Sequence, residues 1–497
     1  MSKVLASIAL RAANHPNVTA LIDHACDVPY GLLWQRIEAL ASELSESGYK
    51  RLGLVGDNSP SWVIADLAAW KAGVALVPMP SFFSPQQCQF IAHSAGLQGL
   101  IGEPSQLPKP SQPTVDHALS IATLDRTEPL PALPEGTCKI TYTSGTTGQP
   151  KGVCLGSEEL DAITAALAER LPMERLMCHM ALLPLATLLE NIAGVYVPLS
   201  QGKTLALPRA QETGLLGSSR LNSQALARAL HKYRPNSLIV LPQILEALLH
   251  LAREGSTALP DSLSFVAVGG AHTPMALIKQ ASALGIPAYE GYGLSECASV
   301  VCLNTPGDNI QGSVGKPLPH LEVDTHDGAI RVKGQRFRGY LGQGADAHDS
   351  EWLDTGDLGY IDPNGFVYIT GRRKNLLISS YGRNISPEWI EAELVLLPSV
   401  AQAVVFGDAR PFCGAIIVPA TNSATAQIDS AVKRLNQRLP DYARIKLTLL
   451  SAEPFTVDNG LLTENGRTRR ERITEHYAKR IDELYKNAMQ TESITEE

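Results

Sequence analysis

Several common signatures are missing from this chain of 497 residues, and each absence narrows what the protein does. The eight cysteines contain no CxxC pair, which argues against a disulfide framework or a zinc site and for a reducing cytoplasm. No apolar run is long enough to cross a membrane. The net charge of −8 argues against nucleic acid as the main partner, because phosphate backbones are bound by basic faces. The pattern GxxxxGK[ST] is also absent, which excludes a P-loop nucleoside triphosphatase.

The first residues and the length of the chain predict a globular protein of two domains. Residues 4–10 form a short apolar run, but Arg11 and Asn14 follow it without a small-residue cleavage pattern. We therefore expect an amphipathic first helix and no signal peptide. A chain of 497 residues exceeds one ordinary core, so we expect a large domain and a smaller one.

Strand and helix patterns alternate along the chain. Residues 52–55 and 74–77 read as buried strands on either side of a helix that begins near Pro60. The alternation returns between residues 223 and 284, with strands at 237–241 and 263–268. It predicts an α/β fold with helices on the faces of its sheets and ligands at the carboxyl ends of the strands. Residues 104–136, rich in Pro, Ser and Thr, predict a surface connection.

Residues 141–153 predict a polyphosphate-binding loop. Hydroxyl side chains alternate with glycines, so backbone N–H groups and short donors can surround phosphate oxygens, and a lysine adds positive charge. A strand is expected over residues 138–142, and Ser157 is expected to N-cap the helix that follows. The residues assigned to this loop are Thr143, Ser144, Gly145, Thr146, Thr147, Gly148 and Lys151.

Three further motifs supply candidate contacts to a nucleotide. Residues 269–271 directly follow a predicted strand, where backbone without bulky side chains can lie against a flat ligand such as adenine. In the next motif Tyr292 offers an aromatic face, and Glu296 offers a hard oxygen ligand for Mg²⁺. Asp357, after a glycine turn, could accept both hydroxyls of a ribose. The complete set is Gly269, Gly270, Ala271, Tyr292, Gly293, Ser295, Glu296 and Asp357.

Taken in order, these motifs resemble those of the adenylate-forming superfamily, which includes acyl-CoA synthetases, the adenylation domains of peptide synthetases and firefly luciferase. The resemblance covers nearly the whole chain. It implies an N-terminal ATP- and acyl-binding domain over residues 1–373. A mobile α+β C-terminal domain over residues 374–497 would follow, with a flexible tail after about residue 487. Around residues 371–388 it implies that Arg372 contacts the ribose, that Lys374 is the hinge, and that Gly382 lines the thiol tunnel.

Residues 183–190 and 455–463 look like the long-chain fatty acyl-CoA synthetase branch more than the acetate, aryl-acid or amino-acid branches. Two positions depart from it. Where that branch usually has a histidine in Pro-Leu-x-His-x-x-Glu, this chain has Thr187 and keeps Glu190, which leaves open how the acyl pocket is walled. Where the family has its adenylation lysine, this chain has Arg467, and that role could instead fall to Lys446, Arg469 or Arg470.

The resemblance implies a ligase that activates a medium- to long-chain fatty acid with ATP and Mg²⁺ and then transfers the acyl group to coenzyme A. Lys151, Glu296 and Arg467 are the expected catalytic residues, and Glu296 the expected metal ligand. Two alternatives stay open. One is a different acceptor, such as an acyl carrier protein, an amine or an internal hydroxyl; the other is a non-catalytic binder of acyl-adenylates. We expect a cytoplasmic protein; peripheral membrane contact and the oligomeric state stay open.

Overall fold

The structure is a computed structural model that describes most of the chain. The described residues are 2–81, 83–125, 129–143, 150–216, 220–255, 259–343, 350–380, 383–420, 423–463 and 466–495. Within these ranges the helices are α1 Lys3–Asn14, α2 Tyr30–Glu46, α3 Pro60–Ala72, α4 Pro85–Ala95, α5 Ser157–Arg170, α6 Val197–Ser200, α7 Ala210–Thr213, α8 Ser223–Tyr233, α9 Pro242–Glu254, α10 Met275–Ala283, α11 Pro387–Val395, α12 Thr425–Asn436, α13 Arg470–His476 and α14 Ala478–Thr495.

The strands fall into two groups along the chain. The first group is β1 Thr19–Ile22, β2 Asp27–Pro29, β3 Arg51–Val55, β4 Ala75–Met79, β5 Gly99–Gly102, β6 Gln112–Pro113, β7 Ser120–Thr123, β8 Thr137–Thr143, β9 Lys151–Gly156, β10 Cys178–Met180, β11 Thr204–Ala206, β12 Leu215–Leu216, β13 Arg220–Leu221, β14 Ser237–Val240, β15 Phe265–Val268 and β16 Ala288–Tyr292. The second is β17 Cys302–Leu303, β18 Lys316–Pro317, β19 Leu321–His326, β20 Ala329–Gly334, β21 Gly339–Tyr340, β22 Leu353–Ile361, β23 Val367–Arg372, β24 Leu377–Ile378, β25 Asn384–Ile385, β26 Val400–Phe406, β27 Cys413–Pro419 and β28 Ile445–Leu450.

One large sheet carries the edge on which the site is built. Among the described residues its strand order is β18-β17-β16-β15-β14-β10-β11-β1-β2, and the strands from β16 to β1 are parallel. The chain leaves β10 for β11 on one side and returns as β14 on the other side. The order therefore reverses between β10 and β14, and such a switch point opens a crevice outside the carboxyl ends of the strands.

The second large sheet has the order β21-β9-β8-β4-β3-β5-β7-β6 in the described part of the chain. Strands β3 and β4 and the helix α3 between them form the predicted βαβ unit. Helix α3 begins at Pro60 behind the N-cap Ser59 and ends at Gly73, whose φ of 73° is left-handed. The expectation of a plain surface connection over residues 104–136 is wrong in part, because β7 pairs with β5 and extends this sheet.

The two sheets enclose the main hydrophobic core. Its buried side chains come from both sheets, from α1, α2, α3 and α5, and from a π-helix, Glu190–Tyr196, that follows the loop after β10. A second core lies between β14, β15 and helices α8, α9 and α10. A smaller sheet, β19-β20-β22-β23, completes the N-terminal domain and packs against the segment around β17.

The C-terminal domain is built on the sheet β26-β27-β28. Alternate residues of its strands face opposite cores, as the two-residue period of a strand requires: Val405 packs towards α11 and α12, whereas Val404 and Phe406 pack towards α13 and α14. This arrangement confirms the predicted α/β class with a smaller α+β domain. Leu396, at the end of α11, packs against the core of α9 and α10 and so joins the two domains.

One local expectation, the cap of α5, is corrected. Ser157 is the first residue of α5 and not its cap: Gly156 occupies the cap position, Glu159 accepts a hydrogen bond from the Gly156 N–H at 2.7 Å, and the Ser157 hydroxyl accepts one from Trp70 Nε1. After about residue 487 the backbone continues α14 through residue 495, with good helix formers such as alanine, methionine and glutamine, and the flexibility expected there stays a prediction.

Candidate functional site

A side-chain-free surface lies at the carboxyl end of β15. The chain passes from Val268 into Gly269 and Gly270, and the Gly269 N–H still donates to the Val240 carbonyl at 3.2 Å. A Cβ at Gly269 would lie 3.3 Å from the Gly291 carbonyl oxygen, which makes this approach tight. Gly270 has a φ of 79°, which only glycine adopts without strain. Gly270 and Ala271 are exposed, and the role of this turn as a surface for a flat ligand stays a prediction.

A fixed carboxylate lies beside that surface. Asp357, in β22, is 2% exposed and pairs across the sheet with Arg372 in β23, whose Nε lies 2.7 Å from Oδ1. Tyr292, at the end of β16, donates its hydroxyl to Asp357 Oδ2 at 2.6 Å. Burial, and then the neighbouring Asp357 carboxylate, raises the pKa of Tyr292 well above its usual value, so its proton stays in place. Each carboxylate oxygen still has a lone pair with which to accept a ligand hydroxyl.

The first turn after β16 places a second carboxylate. Ser295 and Glu296 begin a 3₁₀ helix, Ser295–Cys297. Glu296 Oε1 accepts a hydrogen bond from the Tyr340 hydroxyl at 2.8 Å, and its carbonyl accepts one from the Phe337 N–H. Gly293 is required just before this turn, because a Cβ there would overlap the Ser299 carbonyl oxygen.

Lys151 joins the same group of side chains from the phosphate-loop side. It begins β9 opposite Thr143, the last residue of β8, and its Nζ lies 5.4 Å from the centroid of the Tyr340 ring. Burial, and then Glu296, raises the pKa of Tyr340. Lys151, Tyr142 and Tyr340 line a cavity of about 190 Å³ next to the predicted phosphate loop. Tyr340 was missed by sequence reasoning, since no local pattern marks it.

The position of Glu296 is consistent with its predicted role as a magnesium ligand. No group of three or more His, Cys, Asp or Glu side chains that could hold a metal ion occurs in the described part of the chain. Mg²⁺ commonly binds through one or two carboxylates together with substrate phosphates. Glu296 is half-buried at the edge where the phosphate loop would deliver those phosphates, so the residues present suit a shared magnesium ion.

Arg467 reaches into the site from the C-terminal domain. Its Nη2 donates to the Gly270 carbonyl at 2.6 Å. A hydrogen bond holds its backbone, because the Thr463 N–H donates to the Arg467 carbonyl at 2.7 Å, and the preceding Gly466 has a φ of 72°. Desolvation by the surrounding protein, followed by the positive charge of Arg372, lowers the pKa of Arg467. The negative charge of Asp357 acts in the opposite direction. The guanidinium stays charged, because arginine does not lose its proton in proteins.

Two of the alternative cations, Arg470 and Lys446, make contacts within the C-terminal domain. Arg470 donates to Glu391 at 2.6 Å and to the Val405 carbonyl at 2.8 Å, within the C-terminal domain. Lys446 lies over the ring of Phe412, with its Nζ 4.8 Å from the centroid. These contacts favour Arg467 over Arg470 and Lys446 as the cation that meets the ligand.

The remaining predicted residues are placed as follows. Lys374 lies in a 3₁₀ helix directly after Arg372, and burial, followed by Arg372, lowers its pKa. The phosphate-loop and tunnel residues that lie outside the described residues are Ser144, Gly145, Thr146, Thr147, Gly148 and Gly382. The structure thus brings together Gly270, Tyr292, Asp357, Arg372 and Arg467 at one edge, with the Glu296–Tyr340–Lys151 group beside it.

Comparison with known families agrees with this arrangement. Residues 8–341 match the AMP-binding enzyme family, and residues 374–489 match the AMP-binding enzyme C-terminal domain. The chain belongs to the AMP-binding enzyme family, and the resemblance inferred from its motifs is confirmed.

Curated relatives include CoA ligases named for a fatty acid and CoA ligases named for an aromatic acid. A long-chain-fatty-acid–CoA ligase, FadD15 of Mycobacterium bovis, is 27% identical, over 95% of this chain and 97% of its own length. A 2-succinylbenzoate–CoA ligase of Bacillus pumilus is also 27% identical, over 80% of this chain and 83% of its own.

Solved structures share the fold. The o-succinylbenzoate coenzyme A synthetase MenE of Bacillus subtilis, in complex with AMP, has a TM-score of 0.75 at 23% identity and covers 95% of this chain and 98% of that one. The anthranilate CoA ligase AuaEII, in complex with anthranoyl-AMP, has a TM-score of 0.78 at 19% identity and covers 96% of this chain and 97% of that one. For the described residues, no helix combines the length and apolar character needed to cross a membrane.

Proposed function

We propose that this protein activates a fatty acid as its acyl-adenylate and transfers the acyl group to coenzyme A, releasing AMP and pyrophosphate. The observation that carries the adenylation step is the contact between Arg467 and Gly270. It places a permanent cation from the C-terminal domain on the glycine surface next to Asp357.

Each residue then has a separate task in that reaction. Tyr292 and Asp357 orient the nucleoside, with Arg372 holding the carboxylate. Arg467 stabilises the negative charge that develops as the carboxylate attacks the α-phosphate, and Lys151 does the same for the departing pyrophosphate. Glu296, oriented by the Tyr340 hydroxyl, would hold Mg²⁺, which when bound neutralises phosphate charge as a Lewis acid.

The choice of a fatty acid rests on the loop after β10. Residues 181–189 read Ala-Leu-Leu-Pro-Leu-Ala-Thr-Leu-Leu and contain no charged side chain. This loop begins at the carboxyl end of β10, with β14 between it and β15, which leads into the glycine surface. We infer that an acid joined to the α-phosphate extends along this edge towards the loop. A hydrocarbon chain suits such a wall, whereas a second carboxylate would find no cation in it. The long-chain-fatty-acid–CoA ligase named among the relatives supports the same choice.

A substrate panel tests the proposal. The purified protein is given ATP, Mg²⁺ and, in separate reactions, octanoate, palmitate, o-succinylbenzoate or anthranilate, with coenzyme A, a carrier protein or an amine as acceptor. We expect pyrophosphate release and an acyl-CoA product of the correct mass with at least one of the fatty acids. Turnover of only the aromatic acids would overturn the substrate assignment. Turnover with a carrier protein but not with coenzyme A would overturn the acceptor.

A further inference from the structure

A buried chain of polar side chains lies directly beneath the switch point. His179 and Ser237 are the paired residues of β10 and β14, and His179 Nδ1 lies 2.9 Å from the Ser237 hydroxyl. Glu190, the first residue of the π-helix, places Oε1 2.8 Å from His179 Nε2. The chain is satisfied when the serine hydroxyl donates to Nδ1 and the Nε2–H donates to the carboxylate.

The same carboxylate holds the loop above it. The first part of the loop after β10, residues 181–187, is called the switch-point loop below. Glu190 Oε2 accepts a hydrogen bond from the Leu183 N–H at 3.2 Å. From the other side, the Asn58 amide donates to the Leu183 carbonyl at 3.0 Å and accepts from the Leu185 N–H at 2.9 Å. Two side chains, from separate parts of the chain, therefore fix the backbone of this loop.

The local structure is adapted to this contact. Glu190 is 0% exposed, and burial raises its pKa while the bond from His179 lowers it. Gly194, one turn later, leaves the space for the carboxylate: a Cβ there would overlap Glu190 Oε1 and lie 2.9 Å from His179 Nε2. A buried acid of this kind destabilises the fold unless every partner is present, so the carboxylate, His179 and the Leu183 N–H depend on one another.

The switch-point loop lies at the same edge of the large sheet as the glycine surface. It follows β10 on the carboxyl edge, and Leu241 follows β14 on the same edge. A Cβ at Gly270 would lie 2.9 Å from Leu241 Cδ2, so the end of β14 adjoins the glycine surface that Arg467 touches. The proposed function therefore places the acyl group of the adenylate at this edge, with Leu241 and the switch-point loop as its nearest candidates for contact.

We propose that Glu190 is a specificity-determining positioning residue, which with His179 fixes the switch-point loop as the wall that receives the hydrocarbon chain of the acid. Glu190 does not touch the substrate. It acts through the backbone of Leu183, by hydrogen bonding and not by charge. This inference rests on the proposed function, and it explains how the wall is held although Thr187 stands where the related branch has a histidine.

The same π-helix offers a matched control. Asn191, next to Glu190, faces a different buried network that lies between α3 and β8: its amide donates to Asp66 at 2.9 Å. Tyr196 donates to the same Asp66 at 2.6 Å, and Lys139 pairs with it at 2.5 Å. Tyr196→Phe removes one bond from this second network, in an equally buried place on the same helix, without altering the contact to the switch-point loop.

Steady-state kinetics with separate KM values for the acid and for ATP test the proposal. Glu190→Met keeps the size of the side chain but removes the partner of the Leu183 N–H and of His179 Nε2. We expect its KM for the fatty acid to rise by about tenfold or more, the scale seen when an outer residue that orients a site is lost, with KM for ATP unchanged. The amide of Glu190→Gln can still accept a hydrogen bond from the Leu183 N–H and donate one to His179 Nε2. Its KM for the acid should therefore stay close to the wild-type value. Tyr196→Phe should lower the thermal midpoint without changing the ratio of the two KM values.

Gly194→Ala provides a second route if Glu190→Met does not fold. It removes no polar atom and only displaces the carboxylate, and it should raise the KM for the acid in the same selective way. Equal changes in both KM values, or no change in either, would overturn the inference while wild-type activity upheld the proposed function. A wild type that activates no acid would overturn both.

Discussion

Replacing Arg467 is the most informative perturbation of the adenylation step. Its guanidinium lies 2.6 Å from the Gly270 carbonyl and is the cation that the C-terminal domain brings to the glycine surface. Arg467→Ala removes that charge, and loss of one preorganised donor to a developing negative charge typically costs about 100-fold to 1,000-fold in rate, or about 2.7–4 kcal/mol. We expect a loss of this size in ATP–pyrophosphate exchange. Arg467→Lys keeps the charge but loses the fork, and should lie between the two.

Two controls make this result specific to adenylation. Arg438, also in the C-terminal domain, pairs with Glu393 at 3.1 Å, so Arg438→Ala removes an arginine of that domain and should leave exchange unchanged. Thioester formation from a chemically synthesised acyl-adenylate and coenzyme A bypasses the first step, and Arg467→Ala should retain it. If Arg467→Ala exchanges pyrophosphate as fast as the wild type, Arg467 is not the adenylation cation and the reasoning is refuted.

Three further predictions follow from other parts of the site. Glu296→Ala should reduce pyrophosphate exchange by more than about 100-fold without lowering the thermal midpoint, because its carboxylate is the proposed magnesium ligand; near-normal exchange at saturating Mg²⁺ would contradict this. Lys374→Pro, which fixes φ near about −65°, should impair one half-reaction far more than the other if this residue is the hinge. Similar mild losses in both half-reactions would place the hinge elsewhere. Burial raises the pKa of Glu290, which accepts from the Gly312 N–H, to about 7. The native state therefore binds more protons than the unfolded state between about pH 4.5 and pH 7. The free energy of unfolding should fall as pH rises through that window, and Glu290→Gln should flatten the dependence; an unchanged pH profile would exclude this residue as its source.

Much of the candidate site could be anticipated because its residues are set by local requirements. Gly269 and Gly270 follow a strand, and a left-handed φ or a close approach demands glycine wherever such a turn occurs. Glu296 and Asp357 each stand in a short motif whose order along the chain is itself informative. The alternation of strands and helices gave the α/β class for the same reason, since periods of two and of 3.6 residues are properties of neighbouring positions.

Other residues could not be found in this way. Tyr340 orients Glu296 across 44 positions of sequence, and its own neighbours in the chain carry no pattern that points to that contact. Strand β9 was missed because it reads as the end of a glycine-rich loop, and its strand character comes from pairing with β8 and β21. The cap of α5 was misplaced because Trp70, from a distant helix, engages the Ser157 hydroxyl.

The amino-acid sequence by itself determined the class of fold, the family and the order of the motifs predicted to bind a nucleotide, because these depend on spacing along the chain. Tertiary structure decided which cation of the C-terminal domain lies on the glycine surface and how the loop after β10 is held. Arg467 meets Gly270 because the C-terminal domain lies against the glycine surface, across 197 positions of sequence. Glu190 finds His179 only because β10 and β14 lie side by side at the switch point, a pairing that follows from strand order and that no local pattern encodes.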